Sequence, residues 1–146
     1  MSGGIKISKQ DRIFSKLIRE RAGWKCERCG TQYDAHSAGL HCSHIFTRRA
    51  VGCRWLPDNA CAQCYACHMW FGSNPILGGE WAKEYLGADK LNTLRRRFHA
   101  TTKLSKADKE EIYTNLKAEY DRLLSLRAQG KTGRLEFNSP YDMEVA

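Results

Sequence analysis

His44, Asn59 and His68 lie in the stretch from Leu40 to His68 and are of types that can act on a phosphate ester. Hydrolysis of a phosphodiester needs an activated water, neutralisation of charge on the phosphate and stabilisation of the leaving 3′ oxygen. The neutral imidazole of His44 suits the first task near pH 7, and one divalent ion can serve the other two. Asn59, through its amide oxygen, and His68, through a ring nitrogen, are the predicted ligands of that ion.

Two alternatives remain open for these residues. Asn59 can orient neighbouring groups instead of binding the ion. His44 can bind the ion itself, while another group positions the water. We therefore keep His44 both as the predicted general base and as a candidate ligand.

Four cysteines in two Cys-x-x-Cys pairs, Cys26/Cys29 and Cys64/Cys67, predict a structural zinc site. The two-residue gap lets both sulfurs of a pair face one ion, and two pairs complete a tetrahedral thiolate shell. Such a shell has no open position for water, so the ion would tie chain segments together without Lewis-acid chemistry. Cys61 also forms a Cys-x-x-Cys with Cys64, but pairing Cys64 with Cys67 puts His68 beside the zinc. The spare thiols are expected to be small buried hydrophobes: Cys42, Cys53 and Cys61.

Length and composition limit the class of protein. The 146 residues suffice for one domain with one core, and a hydrophobic content of 42% is typical of a globular chain. The sequence has no apolar run long enough to span a membrane, and its N-terminal stretch lacks the apolar core of a signal peptide. We therefore expect a cytoplasmic protein with no membrane partner, in which paired cysteines indicate metal and not disulfides.

The positive charge of the chain is concentrated in two regions. The formal net charge is +8 and the isoelectric point is near 9.2. Residues 5–28 carry eight Lys/Arg against three acidic residues, and residues 88–106 carry six against one. Such concentration raises the expectation of a polyanionic partner such as nucleic acid.

The elements that must position these residues are predicted from caps and periodicity. Ser8 and Asp11 resemble a capping box that opens a helix ended by Gly23, and Ser105 and Asp108 resemble another that opens a long helix ended by Gly130. The first helix is expected to bury Ile13, Phe14, Leu17 and Ile18, and the second Ile112, Leu116, Tyr120, Leu123 and Leu124. Between them we expect a strand over 40–46 and then an Arg-rich excursion over 47–57. Asp58 or Asn59 is expected to cap the turn or helix that follows. The remaining predicted elements are a helical segment over 61–71, a loop over 72–79, and helices over 80–86 and 88–99.

The predicted fold class is α+β and mostly helical, with one domain over 1–130. A small zinc-stapled core occupies about 24–72, and a helical extension occupies about 80–130. Residues 131–146 are expected to form an extended C-terminal tail, because they contain Gly133, Pro140 and few apolar anchors.

The spacing of His44, Asn59 and His68 is similar to that of the HNH, or ββα-metal, endonucleases. Within that group the chain most resembles the NinG/Rap recombination endonucleases of lambdoid phages, from about Phe14 to Leu126. The resembling segments are FSKLIRERAGWKCERCG, CSHIFTRR, RWLPDNACAQCYACH and KAEYDRLLSL. The resemblance implies a ββα-metal core and metal-dependent cleavage of branched DNA, such as Holliday junctions or D-loops. It also implies a phage-encoded protein acting in the cytoplasm of a bacterial host.

Two positions depart from the pattern of the resembling enzymes. Many of them place an Asp or His ligand directly before the general base, where this chain has Ser43, and some have a further histidine where this chain has Gly72. The predicted metal shell is therefore thin in protein ligands and would be completed by water, which suits Mg²⁺ or Mn²⁺. His41 or Asp58 could contribute, although His41 also fits a half-exposed strand residue with no ligand role.

Arginines near the predicted site are candidates for contact with DNA phosphates. Arg48 and Arg49 follow His44 closely, and we assign Arg49 a catalytic contact with the scissile phosphate or its neighbour. Further predicted phosphate contacts are Arg54, Arg95, Arg96 and Arg97, of which the last three could equally form a solvated helix face. Three tryptophans could stack on exposed bases or pack in the core: Trp55, Trp70 and Trp81. With no base-reading pattern in the sequence, recognition is expected to depend on backbone and shape.

The leading hypothesis is a DNA endonuclease with one catalytic ion, Mg²⁺ or Mn²⁺, and one structural zinc. A junction-cutting enzyme makes paired incisions, so a homodimer is a reasonable hypothesis. One alternative is a non-catalytic zinc module that binds nucleic acid. Another is a zinc-stabilised protein partner in a phage packaging or recombination complex.

Overall fold

The computed structural model describes residues 5–139, and within that range the chain has an α+β fold that is mostly helical. One two-stranded antiparallel sheet lies among five α-helices, and a short 3₁₀ turn over Pro57–Asn59 leads into its second strand. The elements in chain order are α1 Lys9–Arg21, β1 Leu40–His44, β2 Ala60–Cys64, α2 Tyr65–Ser73, α3 Pro75–Leu86, α4 Ala88–His99 and α5 Lys106–Ala128.

Helix α1 begins at the predicted capping box. The amide of Asp11 donates to the Ser8 hydroxyl, and the amide of Ser8 donates to the Asp11 carboxylate at 2.9 Å. These bonds satisfy two backbone donors that the helix itself leaves unpaired. The predicted apolar face is confirmed, because its four residues are buried: Ile13, Phe14, Leu17 and Ile18.

Helix α5 packs against α1 and closes the core from the other side. Ser105 and Asp108 form the predicted capping box at its start. The buried residues of its apolar stripe are Ile112, Leu116, Tyr120 and Leu123. The prediction was wrong for Leu124, which is 40% exposed, because it lies one position beyond the face that meets α1.

Strands β1 and β2 pair in antiparallel register, from Leu40 opposite Cys64 to His44 opposite Ala60. Because side chains alternate across a strand, Leu40, Ala62 and Cys64 share one face, which joins the core against α1. The helix predicted over 61–71 was wrong at its start: Cys61 to Cys64 pair as strand, and the helix begins only at Tyr65. The strand predicted over 40–46 was also too long, because β1 ends at His44.

Helix α3 replaces most of the loop predicted over 72–79. It begins at Pro75, whose fixed backbone angle and missing N–H are well suited to the first turn of a helix. Gly78 lies within this helix, where a Cβ atom would come within 3.1 Å of the Phe71 ring and carbonyl oxygen. Gly78 therefore permits close packing of α3 on α2 and does not form a turn.

Residues 131–139 form no helix or strand but lie against the core. The amide of Leu135 donates to the Arg21 carbonyl at 3.0 Å, and Phe137 is buried with its ring 6.2 Å from that of Phe14. Arg134 forms an ion pair with Glu27 beside the first Cys-x-x-Cys. The rest of the predicted tail, 140–146, lies outside the described residues, as do residues 1–4. Among the described helices, none is both long and apolar enough to cross a membrane.

Candidate metal centre and imidazole cavity

The four cysteines of the two Cys-x-x-Cys pairs meet in space. Their sulfur atoms all lie within 4.8 Å of one another, and the Cys29 and Cys64 sulfurs are 3.9 Å apart. Tetrahedral zinc with Zn–S bonds of about 2.3 Å requires sulfur–sulfur separations of about 3.8 Å. All four thiols are free of disulfides. The set Cys26, Cys29, Cys64 and Cys67 could therefore hold a structural zinc.

The local backbone conformation of each Cys-x-x-Cys pair directs its two sulfur atoms toward the centre of the thiol cluster. In the first pair the Cys29 amide lies 3.5 Å from the Cys26 sulfur, and Gly30 turns the chain with a φ of +82°, a value that favours glycine. In the second pair the Cys67 amide lies 3.5 Å from the Cys64 sulfur, at the N-terminus of α2. Backbone N–H groups and a helix N-terminus favour the thiolate form that metals bind.

The surroundings of Cys29 and Cys67 shift the pKa values of their thiols in opposite directions. A hydrogen bond with the Thr31 hydroxyl lowers the pKa of the Cys29 thiol to about 6. Burial raises the pKa of the Cys67 thiol to about 12, although the Arg28 guanidinium approaches its sulfur at 3.3 Å and opposes that effect. Ionisation of all four thiols together would therefore require a cation among them.

The ambiguity over Cys61 is resolved by the strand geometry. Cys61 and Cys64 are three residues apart in β2, so their side chains point to opposite faces of the sheet. Cys61 is fully buried and takes no part in the thiol cluster. Cys53 is also fully buried, whereas Cys42 is half-buried and borders a cavity.

A cavity of about 480 Å³ brings His44 and His68 together. It lies between α1, β1, the chain that follows β1, and α2. This cavity, called the imidazole cavity below, is lined by Ile7, Asp11, Arg12, Ser15, Cys42, His44, Thr47, Arg48 and His68. The two histidines that the sequence singled out therefore line one common space.

His44 lies at the end of β1 with its ring 5.9 Å from the ring of Phe14. Its Nε2 is buried and has no hydrogen-bond partner among residues 5–139. Burial, aided by the positive charge of Arg48, lowers the pKa of His44 to about 4. The imidazole is therefore neutral at pH 7 and able to accept a proton.

His68 contacts a third histidine, His41. Their Nδ1 atoms are 3.0 Å apart and their rings are nearly perpendicular, at 81°. Burial and the neighbouring His41 lower the pKa of His68. The hairpin register explains the meeting, since position 41 lies opposite Gln63, just before the chain enters α2. That register could have singled out His41 from the sequence, had the second strand been recognised.

Asn59 fits an orienting role and not the predicted ligand role. Its side chain is fully buried, and its amide oxygen accepts from the Phe46 amide at 2.8 Å. Its amide nitrogen donates to the carbonyls of Phe46 and Cys53 at 2.9 and 3.1 Å. These bonds hold the excursion after β1 against the start of β2, which fixes the backbone beside His44.

We expect Asn59→Ala to lower the free energy of unfolding by about 3 kcal/mol, because it leaves buried backbone groups without partners. Chemical denaturation followed by circular dichroism measures this loss. Asn115→Ala is the matched control, since Asn115 is exposed and makes one helix-surface bond, to the Glu111 carbonyl. Equal effects of the two substitutions would contradict the orienting role of Asn59.

Asp11 is a residue of the cavity that sequence reasoning noted only as a helix cap. Its carboxylate accepts from the Arg54 guanidinium at 3.0 Å and from the Trp55 indole at 2.9 Å, and lies 3.8 Å from Arg48. Burial alone would raise the pKa of Asp11, but bonds from Arg54 and the Ser8 amide outweigh it and lower the pKa to about 2. No local sequence signal predicts this convergence, because its partners come from a distant segment.

The predicted arginines fall into two groups. Arg54 is only 14% exposed and is committed to Asp11 and the Lys6 carbonyl, and Arg97 is buried. Both guanidinium groups are therefore mostly covered by protein, and the phosphate contacts predicted for them have no support from this arrangement. The arginines that remain accessible are Arg48, 29% exposed at the imidazole cavity, and the exposed Arg49, Arg95 and Arg96.

Other predicted contacts lie elsewhere. Asp58 is directed to Lys90, at 3.8 Å, and lines a different cavity from that of His44. Trp55 is buried in the core. Trp70 is covered by the Arg28 guanidinium at 3.6 Å from its ring centroid, and Trp81 stacks on Tyr85 at 5.0 Å. Packing thus accounts for all three tryptophans.

Comparisons with protein-family models, curated proteins and solved structures find no match to this chain. The thiol cluster offers a closed metal shell, and the imidazole cavity beside it offers neutral nitrogen donors and a guanidinium.

Proposed function

We propose that this protein is a metal-dependent DNA endonuclease of the HNH type, which hydrolyses phosphodiester bonds. Its proposed substrates are branched recombination intermediates of a phage, such as Holliday junctions or D-loops. The observation that carries the proposal is the shared cavity of His44 and His68, formed where β1, β2 and α2 follow one another. That order is the one a ββα-metal unit requires, and the thiol cluster lies at its β2–α2 junction.

The neutral imidazole of His44 is the proposed general base. With its pKa near 4 it remains in the proton-accepting form throughout the neutral range. A base with a pKa this low is weak, but it is always in the correct protonation state. His44 lines a cavity that is large enough for water and a phosphate group.

A divalent ion bound in the imidazole cavity would neutralise charge on the phosphate and stabilise the leaving oxygen. The residues present fit such an ion, because the imidazole side chains of His44 and His68 line the same space. Asn59 then acts through the backbone that it holds, and Arg48 offers a guanidinium to a phosphate oxygen.

The distribution of charge favours a nucleic-acid partner. The net charge of +8 provides a general attraction to phosphate. Arg49, Arg95 and Arg96 are exposed, so their guanidinium groups can reach a DNA backbone. These contacts carry no base information, which suits an enzyme that selects DNA by shape.

A cleavage panel tests the proposal. Zinc-loaded protein is incubated with labelled linear duplex, single strand, flap and four-way junction, each with Mg²⁺, Mn²⁺, Zn²⁺ or no added ion. We expect cleavage that requires a divalent ion and is fastest on the four-way junction. Binding of DNA without cleavage under any condition would contradict the proposal and favour a non-catalytic zinc module.

A further inference from the structure

The contact between His41 and His68 has the geometry of two ligands on one metal ion. Metal–imidazole bonds are about 2.0–2.1 Å long, so neighbouring nitrogens on one ion lie about 3 Å apart. The observed separation of the two Nδ1 atoms is 3.0 Å. The two rings are nearly perpendicular, at 81°, and their centroids are 5.2 Å apart.

We propose that His41 and His68 are the protein ligands of the catalytic ion, and that this pair selects a first-row transition ion over Mg²⁺. The inference rests on the proposed function. His68 lines the imidazole cavity, and His41 contacts His68 without itself lining that cavity. The inference assigns to His41 the ligand position that Ser43 cannot fill, because the Ser43 hydroxyl is buried within the sheet.

The donor chemistry argues against Mg²⁺. Magnesium prefers carboxylate, carbonyl and water oxygens, whereas imidazole suits Zn²⁺, Fe²⁺ and Ni²⁺. The carboxylate and amide oxygens nearby are already engaged: Asn59 with backbone groups, and Asp11 with Arg54 and Trp55. Asp58 lines another cavity. The expectation of Mg²⁺, drawn from a shell made mainly of water, therefore gives way to an imidazole-selected ion.

A pair of protein ligands also leaves coordination positions on the ion open for substrate. Among residues 5–139, the thiol cluster is the only group of three or more His, Cys, Asp or Glu donors close enough to share an ion. An ion on His41 and His68 would therefore keep open positions for water and a phosphate oxygen. Open positions distinguish a catalytic site from a closed structural one such as the thiol cluster.

The test uses Co²⁺ as the probe on full-length protein whose thiol cluster is already loaded with zinc. Isothermal titration calorimetry measures its affinity and stoichiometry, and proton NMR detects paramagnetically shifted imidazole resonances. We expect one Co²⁺ per chain, bound at least about 100-fold more tightly than Mg²⁺. His41→Ala and His68→Ala should each weaken binding by at least about 100-fold, more than the 10–100-fold typical of supporting residues.

His99→Ala is the matched control, because it removes an exposed histidine on α4 that does not line the imidazole cavity. Retention of one zinc per chain and of the circular dichroism spectrum shows that each variant is folded. Wild-type Co²⁺ affinity in His41→Ala would overturn the inference, and so would equal affinities for Mg²⁺ and Co²⁺.

The experiments distinguish failure of the metal-ligand inference from failure of the nuclease proposal. Cleavage of DNA by His41→Ala with wild-type metal affinity would overturn the ligand pair and leave the nuclease proposal standing. Loss of Co²⁺ binding in both variants, with no cleavage by wild-type protein, would support the ligand pair while the nuclease proposal fails. A simple hydrogen bond between two neutral imidazoles would give no shifted resonances, and this result would also overturn the inference.

Discussion

Cys64→Ala is expected to abolish zinc binding and to unfold the protein at 25 °C. Structural zinc in small domains contributes about 10–16 kcal/mol of apparent binding free energy, which is as large as the whole stability of a typical domain. Cys64 joins β2 to α2 and supplies one of four sulfurs that meet within 4.8 Å. Zinc content is measured by mass spectrometry, and folding by thermal denaturation.

Cys61→Ala is the control for that experiment. Cys61 lies in the same strand and is fully buried, but its side chain points away from the thiol cluster. It should keep one zinc per chain and lose about 1 kcal/mol of stability, as is usual for a buried point substitution. If the two variants bound zinc equally well, the assignment of Cys64 to the thiol cluster would be wrong.

His44→Ala is expected to lower the rate of DNA cleavage by a factor of about 10²–10⁴, the usual contribution of a general base. Zinc content and DNA affinity should stay at wild-type levels, because His44 belongs neither to the thiol cluster nor to the exposed arginines. Single-turnover cleavage measures the rate, and fluorescence anisotropy without an added divalent ion measures DNA binding. His99→Ala should cleave as fast as wild type.

The pH profile gives a second readout for His44. Burial holds its pKa at about 4, so the imidazole is already mostly neutral at pH 5, and protonation removes the base only below that value. The wild-type rate should therefore show no loss from His44 protonation between pH 8 and 5. A cleavage rate in His44→Ala equal to that of wild type would show that another group activates the water.

Local patterns explain which parts of the fold were predictable from the sequence. The capping box of Ser8 and Asp11 and the apolar face of α1 depend on residues within a few turns of one another, so periodicity and caps suffice. The Cys-x-x-Cys pairs carry their own chemistry, and the cluster they form agrees with the prediction. Short apolar segments are ambiguous, which is why Cys61 to Cys64 were predicted as helix although they pair as strand.

The parts of the candidate site that were not predictable depend on tertiary structure. The meeting of His41 with His68 requires the register of the hairpin, and the three bonds of Asn59 require the path of the excursion after β1. The engagement of Arg54 by Asp11 brings together residues from α1 and from that excursion. In each case the sequence identifies a reactive side chain but not the distant group that it contacts.

Among residues 5–139 the sheet contains only β1 and β2, and a two-stranded ribbon by itself is at best marginally stable in water. A long irregular excursion joins the strands, and the two cysteine pairs lie far apart along the chain. Bringing these segments together costs loop-closure entropy, and local contacts formed early in folding do not offset that loss. Newly synthesised chains would therefore stay open to proteolysis until zinc closes the thiol cluster. Cellular zinc supply, and not the rate of synthesis alone, would then set how much competent protein accumulates.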